Sequence, residues 1–453
     1  MSLETLILAA GKGTRMKSKV PKVLHKVGGK PMLQHVIDAA RKAGSSREVV
    51  VIGAGAELVE KTISGVEFVL QEEQLGTGHA VLSAEKNFAE SKGTVLILCG
   101  DTPLLTGALL KNFVAAHNDS TCAATVLAAK MPDATGYGRI IRDTDGNFQR
   151  IVEDKDATDL EKKISEVNAG VYCFDVKKLF GALNKVNNDN AQGEYYLPDV
   201  LPILMAEGEQ VGAFRAQYAD ETLGINSRVQ LAAADRSLRM RKERELMDSG
   251  VTIIDPNTTF IDTDVQIGQD TIIHPNTYLE GKTIIGEDCN IGPNIRFTDM
   301  VVGNKVTAQF SYCHDAEICD GVTLGPYVHI RPGTTIGNNV KIGNFVEVKN
   351  SNVGEGSKLP HLQYIGDTDM GSGVNIGCGT VTCNYDGKKK FRTTIGDNAF
   401  IGCNTNLVAP VTVEEGAYIA AGSTITKDVP KNNLAVARAR QTNIEVWNDK
   451  RNG

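Results

Sequence analysis

The chain lacks long apolar runs, paired cysteine motifs and any excess of basic residues. Its N-terminal apolar run, residues 6–10, is too short for a signal peptide or a membrane span. The nine cysteines form no Cys-x-x-Cys pair and show no framework spacing, so we expect a reducing, cytoplasmic setting. The formal net charge of −7 gives no general affinity for nucleic acid or for an anionic membrane.

A length of 453 residues predicts two or more domains, and the first of them alternates two kinds of segment. Residues 3–9, 49–53, 67–71 and 94–99 are predicted strands, and residues 31–43, 76–87 and 106–117 are predicted helices. This alternation predicts a parallel sheet with helices on both faces. Ligands of such sheets bind at the carboxyl ends of the strands.

The glycine-rich segment after the first predicted strand matches neither of two common nucleotide-binding patterns. The Walker A pattern is absent, and Met16 replaces the third glycine of Gly-x-Gly-x-x-Gly. The remaining glycines still let backbone N–H groups approach phosphates, and Lys12, Arg15 and Lys22 add positive charge. The segment is either a phosphate-binding loop or a plain turn, and three neighbouring cations favour the loop.

Asp101 follows an apolar strand, residues 95–99, and allows two interpretations. An Asp in this position can cap the next helix. It can equally bind Mg²⁺, because a carboxylate at a strand end faces a phosphate loop on the same edge of the sheet. Position alone leaves both open.

The C-terminal part of the chain repeats every six residues. Aliphatic or aromatic side chains recur in three runs: Ile267, Ile273, Leu279, Ile285, Ile291 and Phe297; Ile318, Leu324, Ile330, Ile336, Ile342 and Val348; Ile395, Ile401, Leu407, Val413, Ile419 and Ile425. A hexapeptide period predicts a parallel β-helix. We therefore predict a first domain over residues 1–226, a helical connector over 227–250, and a β-helix over 251–453.

The outward positions of the β-helix predict a cluster of polar residues. Arg331 and Lys349 lie 18 residues apart, on one corner of successive coils, which indicates either a bound phosphate or two solvated cations. One residue is lost from the register between 348 and 353, so Tyr364 should lie over Glu347, with His329 on the other side of it.

His361 falls in a turn and is either a general base or an ordinary surface histidine. The hexads are predicted to break after Ile376, and the insertion at residues 383–392 should form a loop on the binding face.

Several motifs together resemble a known family. They are residues 8–16 (LAAGKGTRM) with Pro21-Lys22, the segment 71–79, Gly100-Asp-Thr-Pro103, Tyr137-Gly-Arg139, Glu153, Asn168-Ala-Gly170 and the segment 190–196. They resemble the signature of sugar-nucleotide pyrophosphorylases. With the β-helix added, nearly the whole chain resembles the bacterial bifunctional N-acetylglucosamine-1-phosphate uridyltransferase/glucosamine-1-phosphate acetyltransferases. That resemblance implies a Rossmann-like α/β domain, a long helix and a left-handed β-helix with three hexads per coil.

For the first domain the resemblance implies a uridyltransferase site. UTP and UDP-N-acetylglucosamine would be bound by Leu8, Ala9, Ala10, Gly11, Lys22, Gln71, Gly76, Thr77, Cys99, Gly100, Asp101, Gly138, Glu153, Asn168 and Asn226. Lys22 and Arg15 would face the triphosphate, and Asp101 and Asn226 would hold Mg²⁺. A sugar phosphate oxygen, already ionised, attacks the α-phosphorus of UTP, so the site needs charge neutralisation and no general base.

For the β-helix the resemblance implies an acetyltransferase site with His361 as the base and Glu347 orienting it. Glucosamine-1-phosphate would be bound by Arg331, Lys349, Tyr364, Asn375 and Lys390. Asn384 and Tyr385 would contact the amino sugar and, with Cys378, Cys403, Ala421 and Arg438, line the acetyl-CoA site, where a backbone N–H near Cys378 stabilises the oxyanion. Family members commonly have Ala at 378 and Ser at 403.

The resemblance further implies a cytoplasmic homotrimer with acetyl-CoA bound between subunits, whose product feeds peptidoglycan and lipopolysaccharide precursors. Two alternatives remain at this stage. In one the chain is a nucleotidyltransferase with a single activity and a regulatory β-helix. In the other the β-helix only assembles a trimer, which would leave its outward polar positions unclustered.

Overall fold

A computed structural model describes residues 2–189, 193–445, 447 and 451. Residues 190–192 of the predicted 190–196 motif therefore lie outside the described residues. The chain forms two compact units, Met1–Leu238 and Arg239–Gly453, and the boundary falls within the helix Arg228–Asp248. Ser227 caps this helix, because its hydroxyl accepts a hydrogen bond from the backbone N–H of Gln230. No helix among the described residues has the length and apolar character that a membrane span requires.

The first unit is a sheet with helices packed against it. Its helices are Met32–Lys42, Ala56–Thr62, Thr77–Ser83, Gly107–Asp119, Val176–Leu183 and Val200–Ala206. Short 3₁₀ turns are Thr14–Met16, Lys22–Leu24, Glu85–Phe88, Glu161–Lys163, Leu197–Asp199 and Ala219–Thr222. The main strand order is Val211–Arg215, Ala124–Lys130, Glu166–Asp175, Gly93–Cys99, Ser2–Leu8, Glu48–Ile52 and Glu67–Leu70. Arg139–Arg142 and Phe148–Val152 form a hairpin beside it, and Lys26–Val27 pairs with Lys30–Pro31.

The four predicted strands pair in parallel with one another, as expected, but the sheet also contains an antiparallel strand that was not predicted. Glu166–Asp175 runs antiparallel to both Gly93–Cys99 and Ala124–Lys130, whereas Ser2–Leu8 pairs in parallel with both of its neighbours. The physical reason lies in the connection, because a parallel pair needs a long crossover, usually a helix. The chain between these strands instead forms the hairpin of Arg139–Arg142 and Phe148–Val152.

The centre of this sheet is apolar on both faces. Leu6 and Ile7 are fully buried and belong to two core clusters on opposite sides of the sheet. The helix Met32–Lys42 covers one side through buried residues at helical spacing: Leu33, Val36, Ile37 and Ala40. This burial fixes the carboxyl ends of Ser2–Leu8 and Gly93–Cys99 side by side, and the predicted site residues follow both strands.

The second unit is a parallel β-helix with three sets of stacked strands. The first set is Thr252–Ile253, Ile272–Ile273, Asn290–Ile291, Thr307–Ala308, Thr323–Leu324, Asn375–Ile376, Phe400–Ile401, Tyr418–Ile419 and Leu434–Ala435. The second set is Phe260–Ile261, Tyr278–Glu280, Ile295–Thr298, Ser311–His314, Val328–Ile330, Val381–Cys383, Asn406–Val408 and Thr424–Ile425.

The third set is Gln266–Ile267, Ile284–Ile285, Val301–Val302, Ala316–Ile318, Thr334–Ile336, Asn352–Val353, Thr368–Met370, Thr393–Ile395 and Val411–Val413. Two longer strands, Lys341–Lys349 and Lys358–Gly366, run through the first and second sets, and a 3₁₀ turn, Pro256–Thr258, joins two early strands.

The hexad prediction is confirmed, with one correction. The predicted aliphatic positions point inward and pair in register between coils, as Ile273 does with Ile291. The hexads were expected to break after Ile376, but Thr382 holds one more inward position, pairs with Leu407 and is fully buried. A polar residue there hid the repeat, because its hydroxyl bonds the carbonyl of Gly366 within the coil stack. The insertion therefore begins after Cys383.

Candidate active sites

Four predicted residues meet beside the glycine-rich loop of the first unit: Arg15, Lys22, Asp101 and Asn226. The ammonium of Lys22 lies 2.5 Å from a carboxylate oxygen of Asp101 and 3.0 Å from the side-chain oxygen of Asn226. Arg15 donates to the same Asn226 oxygen at 2.9 Å. Gly13 makes this approach possible, because its φ is +58° and a Cβ there would lie 2.6 Å from the Cβ of Lys22. The fold thus brings two cations, Lys22 and Arg15, together with the side-chain oxygens of Asp101 and Asn226.

Asp101 does not cap the following helix. The helix Gly107–Asp119 is capped by Thr106, whose hydroxyl accepts from the N–H of Leu109 at 3.1 Å. The backbone carbonyl of Asp101 accepts from Ile225 at 2.9 Å, which brings Asn226 beside the Asp101 side chain. The capping interpretation is therefore wrong, and the Asp101 carboxylate is instead paired with Lys22.

The oxygens of Asp101 and Asn226 fit Mg²⁺. Both are hard ligands, and both converge on the single ammonium of Lys22. Among the described residues, no group of three or more His, Cys, Asp or Glu side chains could hold a metal ion. Two protein oxygens are nevertheless the set expected where phosphate and water complete the shell of Mg²⁺.

A cavity of about 570 Å³ opens beside this point. Its lining includes five predicted residues: Leu8, Thr77, Cys99, Glu153 and Asn168. Burial raises the pKa of Glu153, and the carboxylates of Asp156 and Asp199 raise it further. Burial also raises the pKa of Cys99 to about 12, so its thiol stays neutral and is no nucleophile. The cavity suits a neutral, hydroxyl-rich ligand held by hydrogen bonds.

Other predicted residues are not part of the lining of this cavity. Gln71 is buried, and its amide donates to the carbonyl of Gly76 at 3.2 Å. Gly138 faces Glu153, since a Cβ there would lie 3.2 Å from its carboxylate. Ala9, Ala10, Gly11 and Gly100 follow the two central strands, and Gly100 donates to the carbonyl of Leu8 at 2.9 Å. Sequence reasoning missed Tyr172, whose hydroxyl accepts from Asn168 at 2.7 Å inside the cavity.

In the β-helix, the predicted stack of outward residues is confirmed by the register. His329 pairs with Glu347, and Glu347 pairs with Tyr364. Arg331 and Lys349 were expected either to bind a phosphate or to be solvated, and in the structure each pairs with a carboxylate. Arg331 contacts the carboxylate of Glu347 at 2.7 Å, and Lys349 contacts that of Asp367 at 3.2 Å.

Asp367 is the central residue of this polar cluster, and sequence reasoning missed it. Its side chain is only 6% exposed and accepts from Asn350 at 2.6 Å and from Asn384 at 2.5 Å, besides its pair with Lys349. Burial alone would raise the pKa of Asp367, but the bonds from Asn350, Lys349 and Asn384 hold it below its usual value. Asn384 also donates to the hydroxyl of Tyr364 at 3.3 Å, so Asp367 joins several predicted residues.

The adjacent cations of this site are Lys349 and Lys390. Contact with the Lys349 ammonium lowers the pKa of Lys390, and the charge of Lys349 and of Arg331 acts in the same direction. A cavity of about 590 Å³ is lined by Lys349 and Lys390 together with Asn350, Asp367 and Arg392. Because an anion there would relieve the repulsion between the lysines, the cavity is suited to a phosphate.

His361 is exposed, and its ring is held by a residue other than the one predicted. Its Nδ1 lies 2.9 Å from the amide oxygen of Asn344. An amide oxygen can only accept, so Nδ1 carries the proton and Nε2 is the basic nitrogen. Glu347 was expected to orient His361, but its carboxylate bonds Arg331 instead. Asn344 could have been found, because it lies 17 residues before His361, the offset that stacks Tyr364 on Glu347.

Two more predicted residues stand apart from this cluster. Asn375 pairs in register with Lys358 and Phe400, on a different strand segment from Tyr364. Tyr385 lies in the insertion loop, exposed, with its hydroxyl donating to the carbonyl of Gly387 at 2.7 Å. Neither residue is hydrogen-bonded to Asp367 or Lys349 among the described contacts.

The predicted acetyl-CoA residues follow one edge of successive coils. Ile376, Ile401 and Ile419 pair in register, so Cys378, Cys403 and Ala421, each two residues later, stack along that edge. Arg438 continues the line, with its Cδ 4.0 Å from where a Cβ of Gly422 would lie. The edge is a row of small residues that ends near a cation.

Comparisons with known proteins agree with this geometry. The family model for the MobA-like NTP transferase domain matches residues 5–194. The model for the bacterial transferase hexapeptide (six repeats) matches residues 264–294, 315–350 and 392–427. A curated relative from Halalkalibacterium halodurans, named Bifunctional protein GlmU, is 53% identical over 99% of this chain and 98% of its own length. The chain belongs to the bifunctional GlmU family.

Two other GlmU relatives match equally well. The one from Geobacillus sp. is 53% identical over 98% of this chain and 97% of its own length, and the one from Geobacillus thermodenitrificans is 53% identical over 99% and 98%. Membership of the GlmU family confirms the resemblance and the fold class. It also confirms the prediction of a bifunctional uridyltransferase and acetyltransferase that uses Mg²⁺, UTP and acetyl-CoA, so the two single-function alternatives are wrong.

Proposed function

We propose that the residues around His361 acetylate glucosamine-1-phosphate, and that the residues around Lys22 and Asp101 then join the product to UTP. The observation that carries this assignment is the presence of a cationic cluster with facing oxygens in each unit. One is Lys22 with Arg15, Asp101 and Asn226; the other is Lys349 with Lys390, Arg331 and Asp367. Each suits a phosphate, and His361 lies on the strand that carries Tyr364 beside the second cluster.

In the acetyltransferase site, Lys349, Lys390 and Arg331 bind the sugar phosphate, and Tyr364 and Asn384 contact the sugar. Nε2 of His361 takes a proton from the amine, which attacks the thioester carbonyl of acetyl-CoA. The backbone N–H of Cys378 stabilises the resulting oxyanion. When the intermediate collapses, the C–S bond breaks and the CoA thiolate leaves with a proton from the imidazolium.

In the uridyltransferase site, Lys22 and Arg15 neutralise the triphosphate. Thr77, Glu153 and Asn168 hold the sugar, and Gln71 with the loop backbone holds the nucleotide. Mg²⁺ held by Asp101 and Asn226 supplies further charge neutralisation when bound. The sugar phosphate oxygen attacks the α-phosphorus, the bond to the β-phosphate bridge breaks, and pyrophosphate leaves without any general base. Substrate binding must first release Lys22 from Asp101, since the two are paired in the structure.

We also infer the assembly and setting. Residues 1–226 form the uridyltransferase domain, residues 227–250 the connector and residues 251–453 the acetyltransferase domain. The exposed edge of Cys378, Cys403 and Ala421 supports acetyl-CoA binding between subunits of a homotrimer. Cysteines that stay free throughout the described residues support a reducing cytoplasm.

Two variants test the assignment in one assay. His361→Ala and Asp101→Ala are each incubated with glucosamine-1-phosphate, acetyl-CoA, UTP and Mg²⁺, and free CoA thiol and pyrophosphate are followed separately. We expect His361→Ala to lose thiol release, and to make pyrophosphate normally when N-acetylglucosamine-1-phosphate is supplied. We expect Asp101→Ala to show the reverse. Wild-type acetylation by His361→Ala, or loss of both activities in folded Asp101→Ala, would show that the assignment is wrong.

A further inference from the structure

Gln363 is a buried amide at an inward position of the β-helix. It is 5% exposed and pairs in register with Val346, which in turn pairs with Val328. The coils before it therefore fill this position with an aliphatic side chain. Burying an amide in such a core costs free energy unless the amide forms hydrogen bonds, so Gln363 needs a specific reason to be there.

Part of that reason is Pro360. In neighbouring coils, the residue after the inward aliphatic donates its N–H to the next coil: Gly325 to the carbonyl of Ile342 at 3.0 Å, and Gly377 to that of Ile401 at 2.7 Å. Pro360 occupies this place in its own coil and has no N–H, so the carbonyl of Ile376 loses its ladder donor. Nε2 of Gln363 replaces it, donating to the Ile376 oxygen at 2.8 Å.

The same amide also holds the next carbonyl along the chain. Nε2 of Gln363 lies 3.2 Å from the oxygen of Gly377, which accepts a second bond from the hydroxyl of Thr380 at 2.7 Å. Both donors draw the Gly377 carbonyl toward the inside of the coil. Because a trans peptide points its N–H opposite to its carbonyl, the N–H of Cys378 is directed outward.

The Cys378 N–H has no partner within the part of the chain that the structure describes. It is the donor assigned above to the oxyanion of acetyl transfer. Gln363 lies two residues after His361, so the strand Lys358–Gly366, and not a turn as expected for His361, carries both the base and the side chain that aims the oxyanion donor in the next coil.

We propose that Gln363 is a positioning residue for acetyl transfer, which fixes the Gly377–Cys378 peptide so that its N–H faces the developing oxyanion. This inference rests on the proposed acetyltransferase site. Gln363 touches no substrate and acts through the peptide alone. Its loss should therefore weaken stabilisation of the transition state and leave ground-state binding of both substrates intact.

The test is Gln363→Met, which keeps the length of the side chain and removes the donor. Loss of a whole oxyanion donor costs about 10²–10³ in kcat, and a donor that is only misaimed should cost less. We expect kcat for acetyl transfer to fall by about tenfold or more, with KM for both substrates changed by less than about twofold. Uridyl transfer by the same chain should be unchanged. An unchanged acetyl-transfer kcat in the folded variant would overturn the proposal.

A second variant distinguishes the bond of Gln363 to the Gly377 carbonyl, which orients the Cys378 N–H, from its bond to the Ile376 carbonyl, which replaces the donor missing at Pro360. Adding Pro360→Ala to Gln363→Met restores an N–H for the Ile376 carbonyl and leaves the Gly377 carbonyl without the Gln363 amide. Gln363→Met alone should lower the melting temperature, because the Ile376 carbonyl loses its donor. We expect the double variant to return to the melting temperature of the wild type and to keep the low kcat of Gln363→Met. Full recovery of kcat would show that Gln363 only repairs the ladder. Thr271→Val, which removes another buried hydroxyl bonded to a glycine carbonyl, that of Gly286, should leave both activities unchanged.

The result can be told apart from a failure of the proposed site itself. If His361→Ala abolishes acetylation while Gln363→Met is fully active, the site stands and only the positioning role is wrong. If His361→Ala retains acetylation, the proposed site is wrong, whatever Gln363→Met does.

Discussion

The ion pair between Lys22 and Asp101 should hinder UTP binding when Mg²⁺ is absent. The two side chains are 15% and 17% exposed and 2.5 Å apart, so a triphosphate must displace a well-formed pair to reach Lys22. A hydrogen bond between charged groups contributes about 1.5–3 kcal/mol. Asp101→Asn removes the competing charge and keeps the shape of the side chain. Since 1.4 kcal/mol is tenfold in affinity, we expect UTP to bind about tenfold tighter or more in EDTA.

With Mg²⁺ present, the same variant should be defective. The loss of one of two protein oxygens on the metal should strongly reduce uridyl transfer, so binding and catalysis change in opposite directions. Isothermal titration calorimetry with UTP, in EDTA and in Mg²⁺, measures the first effect, and pyrophosphate release measures the second.

A matched control is Asp38→Asn, which breaks the Lys30–Asp38 pair at 2.8 Å, outside the site. It should leave UTP affinity unchanged in both buffers. The reasoning is refuted if Asp101→Asn binds UTP in EDTA no more tightly than wild type does, because the pair would then present no obstacle to the triphosphate.

Two further predictions concern the β-helix site. Asp367→Asn should lower the free energy of unfolding at pH 7 by about 3–5 kcal/mol, because it leaves Lys349 without its buried partner. The pKa of Asp367 is lowered by folding, so its contribution is present above the unfolded pKa and is lost as pH falls through the folded one. In denaturant titrations the gap between variant and wild type should therefore narrow below about pH 4, and a constant gap would contradict this. The lowered pKa of Lys390 predicts that KM for glucosamine-1-phosphate rises with pH on the alkaline side, as that ammonium loses its proton. Lys390→Met should raise KM at neutral pH and flatten this dependence, and an equally steep profile in the variant would exclude Lys390 as its cause.

The sequence carries the fold of the β-helix almost completely because a six-residue period is local. Ile273 and Ile291 could be paired by counting alone, and so could Glu347 and Tyr364 once one lost residue was noticed. The strand Glu166–Asp175 was missed because polar residues and a glycine interrupt its apolar residues. Its antiparallel direction follows from its connection to the neighbouring strands, which the sequence of the strand itself does not give.

Some contacts of the β-helix site could be predicted from the sequence, and others could not. Asn344 was within reach, since the 17-residue offset places it beside His361. Asp367 was not, because its role depends on side chains from the coils before and after it, which converge only in the fold: Lys349, Asn350 and Asn384. The pairing of Glu347 with Arg331, rather than with His361, likewise depends on side-chain direction, which register alone does not give.

The insertion loop carries a residue of the proposed site without interrupting the stacking of the coils. Ile376 pairs with Ile401, 25 residues on, where Ile401 pairs with Ile419 after 18, yet the ladder continues through both steps. The extra chain closes on itself, with Tyr385 bridging Lys390 and Phe391 donating to the carbonyl of Asn384 at 2.9 Å. Lys390 therefore resides on a segment that the coil stack does not need. A change in the length or composition of that segment would therefore move the Lys390 ammonium relative to Lys349 and leave the register of the coils unchanged.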